Sequence, residues 1–193
     1  MSENAFTNAA KGGRMEFEML RLRPYKPCDA KYVVSWITDE DMFLKWSAGR
    51  FGEYPLTEDR LNAHYSEAAD NDKFWQMTAI DESGKPVGHF IMRFTDDAME
   101  SIRLGFVIVD GSIRGKGYGK EMITLALKYA QDFLRVKEAT LGVFENNPAA
   151  LYCYKAAGFK EYEGGRTEEY NIYGRKWKCI ELYAPLGGAD NAY

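Results

Sequence analysis

Two hydrophobic periods alternate along the chain. From residue 74 the period is two: "FWQMTAI" (74–80) and "VGHFIMRF" (87–94) flank "DESGKP", whose Gly and Pro predict the turn of a β-hairpin. "IRLGFVIV" (102–109) is continuously apolar, as a strand covered on both faces is. The period then lengthens to that of a helix over 116–134, with Ile123, Ala126, Ala130 and Leu134 on one side, before another strand, "EATLGVF" (138–144). This strand, helix, strand order predicts a parallel pair joined by a right-handed crossover. A short helix over 148–157 is punctuated by Asn147 as its cap, Pro148 in its first turn and Gly158 at its stop. "FKEYE" and "KWKCIELY" read as two final strands.

The first third is less regular. "FEMLRLRP" (17–24) reads as a strand stopped by Pro24. "DAKYVVSWI" reads as a helix with Asp29 as N-cap and Ala30, Val33 and Ile37 on one face. Residues 38–56 read as a loop that carries Phe43, Trp46, Phe51 and Tyr54. "TEDRLNAHYSEAA" reads as a helix capped by Thr57, with Leu61, Tyr65 and Ala68 at helical spacing. The sum is an α+β protein, an α/β sandwich with a mixed sheet of about six to seven strands and about four helices.

Composition narrows the classes. At 193 residues, one domain over 15–186 is the economical parse, with 1–14 as a flexible leader and 187–193 as a flexible tail. A 46% hydrophobic and 15% aromatic content is that of a globular protein. Twenty-five basic and 29 acidic residues are spread without a basic block, so the electrostatic footprint of a nucleic-acid binder is missing. Cys28, Cys153 and Cys179 are far apart, no CxxC pair suggests zinc, and the only histidines are His64 and His89. Neither a metal site nor a Ser–His device is expected, and His89, in an apolar run, reads as a satisfied core or edge histidine. With no apolar run of about 18 residues and no secretory h-region, the expectation is a cytoplasmic protein that does not enter membranes.

The candidate chemistry lies between the strand 102–109 and the helix that follows it. "RGKGYG" (114–119) sets Gly115, Gly117 and Gly119 at alternate positions among Arg114, Lys116 and Lys120. Neither Gly-Lys pair is followed by Ser or Thr, so this is not a Walker A loop, and G-x-G-x-G is not the G-x-G-x-x-G of dinucleotide folds. Glycines that let the backbone approach an anion, placed before a helix N-terminus and ringed by cations, suit a pyrophosphate.

These residues carry a resemblance. Arg114, Gly117 and Gly119 match the [QR]-x-x-G-x-[GA] loop of the GCN5-related N-acetyltransferases. Asn147, Ala150, Tyr154, Gly158 and Phe159, in "NNPAALYCYKAAGF", match a second element of that family. The chain resembles the family over roughly residues 17 to 183, and "LRLRPYKPCDAKYVVSWITDE" is similar to the branch of the ribosomal-protein N-terminal acetyltransferases. The resemblance implies the family's fold, with a splayed parallel strand pair, acetyl-CoA as co-substrate and transfer of its acetyl group to a primary amine, on a peptide N-terminus or a small molecule. A homodimer is the family analogy, and no metal is implied.

The resemblance further implies roles for single residues. The main chain of Val107 and Val109 would pair with pantetheine, and Arg114, Gly115, Lys116, Gly117, Tyr118, Gly119 and Lys120 would wrap the pyrophosphate. Asn147 would bond near the pantetheine arm. Tyr154 matches the tyrosine that protonates the departing thiolate, whereas Tyr152 points about 200° away around the helix. The positions where relatives carry a base glutamate hold Arg103 and Gly142. Glu145 is the best substitute, with Glu100, Asp97 and Asp96 as other acids that could act through water. Arg103 could instead bind a substrate carboxylate or phosphate. Acceptor specificity is implied for Phe43, Trp46, Phe51 and Tyr54 and for "EGGRTEEYNIYGRKW" (163–177). The missing carboxylates leave a catalytically weak acyl-CoA-binding module as the alternative function.

Overall fold

Local chemistry sets most of the element ends in the computed structural model, which describes residues 20–187. Leader residues 1–14 and tail residues 188–193 lie outside the described residues. The chain runs through β1 (Arg21–Pro24), a 3-10 turn (Pro27–Asp29), α1 (Ala30–Trp36), α2 (Glu40–Ser47), α3 (Glu58–Ser66), β2 (Phe74–Ile80), β3 (Pro86–Phe94) and β4 (Ser101–Val109). It continues through α4 (Tyr118–Asp132), β5 (Glu138–Phe144), α5 (Pro148–Ala156), β6 (Lys160–Glu161), β7 (Thr167–Ile172) and β8 (Arg175–Pro185). Thr57 accepts from Arg60 N at 3.2 Å and Asn147 from Ala150 N at 3.3 Å, so both expected caps form.

Two expectations for the first third are corrected. Residues 38–56 are not all loop: Asp39 accepts from Met42 N at 2.8 Å and starts α2, which buries Phe43, Leu44 and Trp46. Acids in its first turn and Lys45 in its last suit the helix dipole. Asp29 does not cap α1. Its carboxylate instead takes both guanidinium nitrogens of Arg23 at 2.6 and 2.8 Å, Lys26 N at 3.0 Å and Thr78 Oγ1 at 2.9 Å. Burial would raise its pKa, but these bonds together win and hold it below the usual carboxylate range.

The sheet has eight strands, ordered β1-β2-β3-β4-β5-β8-β6, with β7 also paired to β8. The β7–β8 hairpin was not expected. Ile172 pairs with Arg175, leaving Tyr173 and Gly174 as a two-residue turn with φ of 51° and 80°, the geometry that matches strand twist. Every pairing is antiparallel except β4 with β5.

That exception builds the site. β4 and β5 pair only from Ser101–Arg103 against Glu138–Thr140, and both strands then run on without meeting. The cause lies on the other side of β4. Its register with β3 slips between His89 and Ile91, and Phe106 adopts φ 47°, so a bulge bends β4 away from β5. Neighbours hold Phe106 in this rare conformation: its ring packs 5.4 Å from Trp46 and 4.9 Å from Phe51.

The sheet is covered on both faces. One core joins Phe90, Met92, Ile102, Leu104, Leu141 and Leu182 to Met122 and Ile123 of α4 and Tyr154 of α5. The other joins Ile91, Ile108 and Phe144 to Val33, Phe43, Leu44 and Leu61 of α1–α3. His89 is fully buried in the sheet, as expected of a core histidine, with Nε2 2.6 Å from Tyr65 Oη. Burial pushes its pKa down to about 3.

Candidate active site

The loop after β4 presents bare backbone. Gly115 and Gly117 have φ of 84° and 83°, where a side chain would be strained, and a Cβ on either would meet nothing within 4 Å. Gly117 stands at the N-cap of the fifteen-residue α4, so the helix's first N–H groups and its dipole face the loop. A cleft of about 930 Å³ opens there between the splayed strands. Val107 and Val109 of β4, then Arg114, Gly115, Gly117, Tyr118, Gly119 and Lys120, line it from one side. Asn147 and Tyr154 line it from the other, so nine of the residues expected to hold the cofactor meet Tyr154 in one cleft. Lys116 does not line it; its Nζ sits 5.8 Å over the Tyr118 ring.

Tyr154 is buried, and that burial pushes its phenol above the usual range, so it stays protonated at neutral pH. Tyr152 is 78% exposed yet also lines the cleft, so burial rather than position alone sets Tyr154 apart from it.

A second cavity, of about 820 Å³, shares Lys45, Trp46, Leu104, Gly105, Phe106, Gly142 and Phe144 with the first. The two therefore meet where β4 and β5 part. In this cavity Arg103 donates to both carboxylate oxygens of Glu181, at 2.6 and 2.8 Å. Glu181 lies on β8 directly opposite Gly142 in the β5–β8 register. A Cβ at position 142 would fall 2.7 Å from Arg103 Nη2, 2.7 Å from Cys179 Sγ and 2.8 Å from Glu181 Oε1. The glycine is thus dictated by the ion pair: where the resemblance placed a base carboxylate on β5, one arrives from the next strand and is held by Arg103. The bonds it donates to Glu181 also keep the guanidinium firmly protonated.

The cavity has a charge pattern that the sequence concealed. Arg93 of β3 faces Arg103 directly across the β3–β4 ladder, and Lys45, Arg50 and Glu168 complete the charged lining. Lys45 pairs with Asp41 at 2.7 Å. His64 also lines it, its ring 4.4 Å from Phe51, and burial lowers its pKa.

Other predicted residues fall elsewhere. Glu145 is exposed past the end of β5, where its N–H donates to Lys178 O at 2.9 Å, and it lines neither cavity. Asp96 accepts from Ser101 N and Glu100 N in the turn before β4, while Asp97 pairs with Lys73 and Glu100 with Lys137. None of these three acids lines either cavity. Phe51 is 3% exposed and packs beneath Trp46 and Phe106. Phe43 is fully buried, and Tyr54 points its hydroxyl to Thr38 O at 3.2 Å. Of the four aromatics Trp46 alone lines both cavities.

Among the described residues, no helix is long and apolar enough to cross a membrane, and no group of three or more His, Cys, Asp or Glu could hold a metal ion.

Known proteins share this fold. A spermidine N(1)-acetyltransferase from Vibrio cholerae is 22% identical over 164 residues, covering 85% of this chain and 91% of its own. An N-acetyltransferase 9-like protein from Caenorhabditis briggsae is 26% identical over 150 residues, covering 72% and 73%. The crystal structure of the Vibrio cholerae spermidine N-acetyltransferase in complex with CoA and spermine superposes with a TM-score of 0.73 at 22% identity, covering 88% of this chain and 97% of that one. At that identity the superposition establishes the fold. The relatives that use spermidine give the family rather than the ribosomal-protein branch expected from the N-terminal segment. The model of the acetyltransferase (GNAT) family matches residues 34–159, which hold β2 to β5 and the whole glycine loop, and the chain therefore belongs to that family of acetyltransferases.

Proposed function

We propose that this chain, an N-acetyltransferase with acetyl-CoA as its co-substrate, binds the donor in the cleft beside β4 and receives a primary amine from the cavity that joins it. One observation carries this reading: the two cavities meet at Gly105–Phe106 and Gly142–Phe144, in the wedge that opens beyond Arg103. Backbone N–H groups from Arg114 to Lys120 and the α4 N-terminus suit the pyrophosphate. The β4 edge beyond Arg103, with no strand partner on the β5 side, suits the amides of the pantetheine arm.

Acetyl-CoA supplies an activated thioester carbonyl. In our reading the amine nitrogen attacks that carbon, the C–N bond forms, the C–S bond breaks, and the Tyr154 hydroxyl gives its proton to the departing sulfur. The amine must shed a proton first. With Glu181 held by Arg103, His64 is the lining group whose half-buried imidazole, its pKa lowered, suits that task, in place of Glu145. The acceptor amine belongs to a small molecule or a peptide N-terminus.

Calorimetry with acetyl-CoA and a thiol-release assay across amines test the reading. Gly117→Glu places a carboxylate in an anion cradle at φ 83° and should weaken acetyl-CoA binding at least about tenfold. Tyr154→Phe should bind acetyl-CoA normally and lose about 10²- to 10⁴-fold in kcat. Undiminished binding in Gly117→Glu would refute the donor site, and undiminished turnover in Tyr154→Phe the proton donor.

A further inference from the structure

The acceptor cavity carries two exposed arginines that no carboxylate among the described residues pairs. Lys45 is matched by Asp41, and Arg103 by Glu181. The side chains of Arg93 and Arg50 make no hydrogen bond or ion pair among the described residues, although both line the cavity. Against them stands one further acid, Glu168, whose Oε2 already accepts from Tyr170 Oη at 3.4 Å.

Register makes this arrangement costly to the fold. Arg93 and Arg103 are direct cross-strand partners on one face of the sheet, a placement in which like charges oppose stability. Burial, then Arg103 and Arg50, disfavours the charged form of Arg93. Arg103 has Glu181 as compensation; Arg93 lacks an equivalent. Arg93 and Arg50 are both open to solvent, and both stand in the wall of a cavity sized for a small molecule, where an entering ligand can reach them.

We propose that the acceptor is a small primary amine that also carries an anion, a carboxylate or a phosphate, and that Arg93 with Arg50 receives this anion while the amine points to the wedge at Gly105 and Gly142. This rests on the acetyltransferase reading above and gives it a substrate class. A guanidinium offers paired donors that match the oxygens of either anion, and an arriving anion relieves the opposition between Arg93 and Arg103. The same wall disfavours spermidine, the polycation named for the Vibrio cholerae relative, because its second and third charges would meet Arg93 and Arg50.

Amines matched in length and differing only in charge decide the matter. Thiol release from acetyl-CoA is measured with γ-aminobutyrate, its amide and putrescine, with phosphoethanolamine against ethanolamine, and with spermidine. The anionic member of each set should exceed its neutral counterpart at least about tenfold in kcat/KM, the dication trailing both; the two anions separate carboxylate from phosphate use. Arg93→Gln should raise KM for the anionic amines about tenfold and leave the neutral ones unchanged, and Arg93→Glu should move the preference toward putrescine. Neutral or dicationic amines used as well as anionic ones, or an Arg93→Gln variant that slows every amine alike, overturns the proposal. Thermal stability of the protein with each compound is read alongside. An anionic amine that raises Tm no more than its neutral counterpart also overturns it, whether or not turnover is seen. Absence of acetyl-CoA binding in calorimetry would instead defeat the donor assignment and leave these binding comparisons to judge the anion site.

Discussion

Adding a single methyl group at Gly142 tests the geometry at the heart of the acceptor cavity. In Gly142→Ala the new Cβ would fall 2.7 Å from Arg103 Nη2, 2.7 Å from Cys179 Sγ and 2.8 Å from Glu181 Oε1, against the 3.5–4.0 Å of ordinary contact. The ends of Arg and Glu side chains usually swing aside at little cost. Here they hold each other through two hydrogen bonds, and the Glu181 side chain is only 5% exposed. Moving either one breaks the pair or pushes it against Cys179. Overpacking of this kind costs about 1–3 kcal/mol, approaching 3–5 kcal/mol if the ion pair opens. Relief of glycine's backbone entropy in a strand returns about 0.5–1 kcal/mol. The expected net loss of about 1–3 kcal/mol corresponds to a Tm about 3–10 °C lower for a chain of this size. Urea unfolding followed by circular dichroism measures it, with Cys179→Ala on the Gly142→Ala background as a partner experiment. That second change removes one of the three clashes and should recover part of the loss. A Gly142→Ala protein as stable as the parent would show that the pair does not dictate glycine at this position.

Four further outcomes are expected. His89 is neutral in the fold down to pH of about 3, whereas an unfolded histidine protonates near 6.5, so stability is full above about 6.5 and falls as pH drops below it. The loss should reach about 3 kcal/mol near pH 4.5; a urea midpoint equal at pH 7 and 4.5 would contradict it, and His89→Gln should flatten the dependence. Asp29→Ala leaves Arg23 and Thr78 without their acceptor in a buried position and should cost about 3–5 kcal/mol in the same unfolding assay. Burial, reinforced by Glu181, pushes the Cys179 thiol up to about 12, so it should stay silent to a thiol reagent at pH 8 in the folded protein while exposed Cys28 reacts; two fast thiols including Cys179 would contradict the packing. The lowered pKa of His64 places its protonation on the acid limb of the pH–rate profile, below the usual histidine range. His64→Gln should abolish that limb, and an unchanged profile would remove His64 from proton transfer.

The sequence was most readable where one local rule acted alone. Strict alternation marked β2 and β3, a continuous apolar run marked β4, and Asn147, Pro148 and Gly158 bracketed α5. The glycine loop was readable for the same reason, because the β4–α4 junction places Arg114 to Lys120 by local connection. Where tertiary contacts chose between local options, the reading missed. Asp29 has the chemistry of a cap, but Arg23 and Thr78, distant in sequence or on another strand, claimed its carboxylate. α2 carries a cap signal in Asp39, yet its aromatics suggested a binding loop because only the fold shows them facing the sheet. The cavity around Arg103 was least legible. Arg103 and Glu181 lie 78 residues apart and meet through the β5–β8 register, and Arg93 gains meaning only opposite Arg103. No spacing along the chain announces such a juxtaposition.

The parting of β4 from β5 has a consequence for the protein's lifetime as well as its chemistry. It leaves a stretch of strand edge in the middle of the sheet, past Arg103, where main-chain donors and acceptors have no neighbouring strand. Edges of this kind are templates for unwanted pairing between chains, and most proteins confine them to the margins of a sheet. A donor molecule lodged in the wedge would close that edge, acting as a piece of the fold as much as a reactant. At a concentration one hundred times its Kd it would add about 2.7 kcal/mol to stability. The amides of Val107 and Val109 should then be among those whose hydrogen exchange slows most on saturation. The unliganded protein should be the one that aggregates first, so the supply of the activated acyl donor would govern how long the enzyme persists.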